Sequence, residues 1–107
     1  MHNEDIVIPE GVDRIIKELC ADYARRAGVM QSKSAPFNVI MEYRFLNYRI
    51  MNAAIEIAGS RDAVCFIKDI GDERGYATSD LWVLSESEYK TRKIKVKLNI
   101  ARRLSLI

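Results

Sequence analysis

A small all-α domain of four to five helices, closing in a helix-turn-helix-like unit, is the fold this sequence predicts. Three observations predict it. Segments 12–27 and 36–58 repeat apolar residues at the 3.6-residue period of a helix. Gly28, Gly59 and Gly71 stand where successive periodic segments stop. The 107 residues, 49% hydrophobic, suffice for one core, so 1–107 reads as a single domain.

In the first element, 12–27, Val12, Ile15, Ile16, Leu19, Cys20, Tyr23, Ala24 and Ala27 make one apolar stripe. Asp13 stands four before Lys17 and Asp22 four before Arg26, the spacing of supporting ion pairs. Gly28 is the expected left-handed stop. "VMQSKSAP" is a connection, with Pro36 at the first turn of the next helix. That helix, 36–58, is polar only along one narrow arc: Asn38, Glu42, Arg49, Asn52 and Glu56. Apolar over most of its circumference, it needs cover from every other helix or from a second subunit. Arg44 and Asn47 interrupt its apolar side and need partners within the fold or across an interface. With Tyr48 and Met51 they form the candidate dimer interface. A third helix, 61–70, follows Ser60 as N-cap and stops at Gly71. "GDERGYATS" is a loop, and "DLWVLS" is either a short helix or a strand, with Trp82 expected in the core.

The last segment, "SESEYKTRKIKVKLNIARRLSLI", has two readings. Ile94, Val96, Leu98 and Ile100 alternate with Lys93, Lys95, Lys97 and Asn99, as in a half-buried strand. Such a strand could pair with 80–84 as the hairpin 80–84/93–100 of a winged helix. Against it, Ser85 and Glu88 have capping-box spacing, and neither Gly nor Pro interrupts the chain after them. On a helical wheel, Tyr89, Ile94, Val96, Leu98, Ile100, Ala101 and Leu104 share one side. The helix also accounts for "IARRL", so it is the expectation adopted.

Charge is unevenly placed. Residues 86–107 hold seven basic side chains against two acidic, a net +5, leaving ten against thirteen, a net −3, in 1–85. A basic end on an acidic body suits a polyanion partner or association between opposite charges. On the helical reading, 61–107 is a helix, a short helix and a long basic helix, the order of a unit that sets its last helix into the major groove. Ser85 or Ser87 at the helix start would cap it or contact phosphate, and Tyr89 and Lys90 would reach the groove first, followed by Lys93 and Lys97. Arg92, Arg102 and Arg103 would lie against flanking phosphates.

"LSESEYKTRKIKVKLNIARRL" resembles the ending of small helix-turn-helix regulators of phages and mobile elements. These include ArpU-type late transcriptional regulators and, more distantly, region 4 of sigma factors. Leu84, Ser85, Ser87, Tyr89, Arg92, Lys93, Ile100, Ala101 and Leu104 match that pattern over about twenty residues. "GDERGYATSDLW" is longer and more acidic than the turn usual in such a unit. The resemblance implies transcriptional control by a dimer on double-stranded DNA, in a bacterial or phage setting.

Enzyme chemistry is not expected. His2, the one histidine, sits at the chain's start, and CxxC, HExxH, GxSxG and phosphate-cradling glycine loops are absent from the sequence. Asp69, Asp72, Glu73 and Asp80 lack calcium-loop spacing and read as solvated loop acids. No metal, cofactor or small-molecule substrate is expected. Cys20 and Cys65 read as reduced core thiols of a cytoplasmic protein, and neither a membrane span nor a secretory signal is expected. Two functions remain: a DNA-binding transcriptional regulator, or a helical protein–protein interaction or phage assembly module without nucleic acid.

Overall fold

Pro9 opens the first helix, α1 (Glu10–Ala21), in a computed structural model that describes residues 7–107. The chain's start, with His2, lies outside the described residues. The Pro9 carbonyl accepts from the Asp13 amide at 2.9 Å, and Glu10 and Asp13 put negative charge at the positive end of the helix. Ile16 and Cys20, four apart, are its buried face. The expected single helix 12–27 is a bent pair, α1 and α2 (Tyr23–Met30), turning at Asp22. The bend is held by side chains: Arg25 grips Asp22 at 2.6 and 2.9 Å, and Arg26 reaches back to the Leu19 carbonyl. Gly28 is not the stop. It lies inside α2, which closes when the Gln31 and Ser32 amides turn back to the Gly28 and Val29 carbonyls.

Pro36 precedes α3 (Phe37–Gly71) as its cap and is not in its first turn. This element is the two predicted helices, 36–58 and 61–70, joined without a loop at Gly59, whose φ of 82° and ψ of 160° break the spiral. That region of backbone space is nearly closed to residues with a Cβ. Gly71 ends α3 for a different reason: a Cβ there would stand 2.6 Å from the backbone nitrogen of Ala21, so the two helix ends touch backbone to backbone. The left-handed position falls two residues later, on Glu73 at φ 56°. The Arg74 amide closes on the Asp69 carbonyl at 2.8 Å, the bond that terminates a helix in this way.

"DLWVL" forms neither helix nor strand. The connection from α3 to the last helix holds one 3₁₀ turn, Tyr76–Thr78, and the short middle helix expected of the C-terminal unit is absent. Leu81, not Trp82, enters the core, and Trp82 is 74% exposed. The last segment is α4 (Glu86–Arg103), so the hairpin 80–84/93–100 does not form. Ser85 caps it as the spacing predicts, its Oγ accepting from the Glu88 amide at 3.1 Å.

The described residues thus form an all-α domain of four helices with no strand. No helix among them is long and apolar enough to cross a membrane. α3 is the axis on which the other helices pack. Ile16, Ile50, Phe66, Ile67, Val96 and Ile100 fill the centre, each such burial contributing about 1.5–3 kcal/mol. Between α3 and α4, the Asn99 amide donates to the Ala53 carbonyl at 2.9 Å, and Arg103 pairs with Glu56. The expected i,i+4 pairs of α1 and α2 do not form: Lys17 pairs with Glu73 at 2.7 Å, and Asp13 with Lys97 at 3.0 Å.

Candidate functional site

Of the side chains expected to read DNA, Tyr89, Lys93, Lys97 and Arg103 are engaged by other parts of the fold. Tyr89 is 1% exposed, stacked on Phe66 with centroids 5.5 Å apart, and its hydroxyl donates to Asp69 at 2.9 Å. It cannot reach a groove. Burial and the Asp69 carboxylate push its hydroxyl up to about 12. Asp69 is the buried hub of this corner, accepting also from Ser79 Oγ at 2.5 Å; Ser79 in turn accepts from the Leu81 amide. Expected among solvated loop acids, Asp69 instead ties the α3–α4 connection to α4.

Lys93 lies over the Tyr89 ring and donates to the Arg74 carbonyl at 2.5 Å. Burial, with help from Lys97, lowers its pKa. Lys97 is held by Asp13 and Arg103 by Glu56. Lys90 and Arg92 pair one turn back with Glu86 and Glu88 at 3.2 and 3.8 Å, exposed contacts that water largely screens. Ser87 and Arg102 are exposed, as is Lys95, which no sequence motif singles out. Among the described residues, Lys95 and Arg102 make no ion pair. Glu86 and Glu88 also place negative charge at the helix end that would approach a phosphate.

The candidate interface residues of α3 divide. Asn47 is buried: its Oδ1 accepts from Arg26 Nε at 2.7 Å and its Nδ2 donates to the Tyr23 carbonyl at 3.1 Å. The partner the sequence demanded for it is therefore Arg26, itself buried, with its pKa lowered by desolvation. Met51 is half-buried and lines a cleft of about 340 Å³ with Cys20, Tyr23, Val64 and Ile67, where the α1–α2 bend faces α3. Arg44 and Tyr48 do face solvent.

Beside them lies a feature that the arc of polar residues concealed. Phe37, Phe45 and Tyr48 are 76%, 58% and 67% exposed. With half-buried Met41 they succeed each other at spacings of four, four and three, one continuous stripe along the outer side of α3. A count of the helical wheel outward from Asn47, taken as buried, would have found it.

Comparison of the chain with protein-family models, with curated proteins and with solved structures finds no match. The resemblance of Leu84–Leu104 to helix-turn-helix endings therefore stands on those residues alone.

Proposed function

We propose that this chain is a helical protein–protein interaction module whose working surface is the outer stripe of α3. One observation carries the reading: three aromatic side chains, Phe37, Phe45 and Tyr48, stand more than half exposed on one helix face. Contiguous apolar surface of this kind is costly to leave in water and marks sites of association. Aromatic residues are also the side chains that most often dominate binding energy. Cys20 and Cys65 are free thiols, which suits a reducing, cytoplasmic setting.

The test is a photoreactive phenylalanine analogue placed at Phe45 in cells that make the protein, with exposed Ala77 as the control position. A discrete covalent adduct at Phe45 and none at Ala77 is expected. Equal labelling at both positions, or none at either, overturns the reading.

A second reading, a dimeric DNA-binding regulator of phage type, is favoured by the net +5 of residues 86–107 and by the exposed Lys90, Lys95 and Arg102. Lys93 is a poor probe of it, because a carboxylate there would face the Arg74 carbonyl. Lys95→Glu with Arg102→Glu leaves the core alone and should abolish salt-sensitive binding to duplex DNA. Binding unchanged by that pair would remove α4 as the reader.

A further inference from the structure

We propose that the partner of the α3 stripe is a second copy of this chain, docked antiparallel about a two-fold axis beside Phe45 and Leu46. The proposal rests on the interaction reading above and names its occupant. Three observations carry it.

The first is the seam. Phe37, Met41, Phe45, Tyr48, Asn52 and Ile55 continue at spacings of four, four, three, four and three, the recurrence that lets one helix lie along another. The second is charge. Glu42 and Arg49 lie two turns apart on one flank of this seam, both exposed, and among the described residues neither makes an ion pair. In an antiparallel two-fold pair, equivalent flanks face each other. An axis between Phe45 and Leu46 therefore sets Glu42 of each copy opposite Arg49 of the other, and both charges are answered twice over. A parallel pair would set them against the opposite flank, where Arg44 attracts one and repels the other.

The third is shape. A groove of about 360 Å³ is lined by Glu42, Phe45, Leu46, Arg49 and Leu104, on that same flank of the seam and level with the axis. The exposed Phe45 of one copy meets this groove in the other, an aromatic anchor received between apolar Leu46 and Leu104 with the ion pairs at its rim. An isologous contact repeats every such gain twice.

Native mass spectrometry of charge-swapped variants tests the pairing, with circular dichroism confirming that each remains helical. Wild type should be a dimer. Glu42→Arg alone and Arg49→Glu alone should each be monomeric, since like charges would then face each other across the axis. Their equimolar mixture should give a heterodimer, and the double variant Glu42→Arg/Arg49→Glu should dimerise again. Single variants that stay dimeric, or a mixture that stays monomeric, would overturn the antiparallel arrangement. A monomeric wild type would overturn the second copy as occupant. Photocross-linking at Phe45 then decides separately whether the stripe meets a different protein, so failure of the dimer and failure of the interaction reading are distinguishable.

Discussion

At the scale of single residues, two buried polar clusters show how the fold spends its hydrogen bonds. Arg26 and Asn47 lock the α1–α2 bend onto α3 through side-chain and carbonyl acceptors at 2.5–3.1 Å. Asn47→Ala would leave the buried guanidinium short of an acceptor. It should cost about 1–3 kcal/mol in urea unfolding while leaving self-association of the folded protein intact. Tyr89 makes a pH-dependent prediction. Its folded pKa, about 12 against 10.0 for an unperturbed tyrosine, is raised, so its stabilising effect is complete below pH 10 and is lost as pH rises through 12. The Cys20 thiol, pushed from 9.0 to about 12 by burial, acts in the same direction from pH 9 upward. Tyr89→Phe should therefore be less stable than wild type at pH 7, where Asp69 loses a donor, and should lose less stability than wild type between pH 10 and 12. An unchanged alkaline profile would contradict the buried phenol. Of this, the sequence shows that Asn47 needs a partner. It does not show which one, because Arg26 also suits an exposed pair with Asp22, and only the bend turns it inward.

The elements are where the sequence is most legible. The 3.6-residue stripes, the Ser85 cap and the break at Gly59 all answer to local chemistry, and local chemistry can be read without knowing the fold; Gly71 answers instead to its close approach to Ala21. Gly59→Ala should cost about 1–3 kcal/mol by thermal unfolding, because its backbone is nearly closed to a Cβ. A neutral substitution would mean that the two halves of α3 tolerate a straight helix. The alternation over 93–100 has a tertiary explanation. Val96 and Ile100 are buried one turn apart, while Lys93 and Lys97 fold along the edge of the core to find a carbonyl and Asp13. Ile94 and Leu98 are only half-buried, so the strand-like alternation does not record one sheltered face. The connection 72–85 is the least legible segment. Its order comes from Asp69, ten residues from Ser79 and twenty from Tyr89, and periodicity carries no signal for such contacts.

For the whole molecule, the contrast between a basic end and an acidic body is partly resolved within the chain. Asp13 and Glu56 from the body take Lys97 and Arg103 from α4, and the Arg74 carbonyl takes Lys93. Left unanswered is the aromatic stripe on α3, where Phe37, Phe45 and Tyr48 stand exposed on one helix face. The same sequence that marks that helix as apolar nearly all round cannot say which apolar residues its own neighbours will cover. Light scattering on the wild-type protein over a range of concentrations tests this most directly, with folded Phe45→Asp beside it. A second copy docked on the α3 stripe requires a mass rising to about twice the 12.3 kDa of one chain, and a variant that stays at one chain throughout. A wild type that remains at 12.3 kDa at every concentration, or a variant that dimerises equally well, would contradict it.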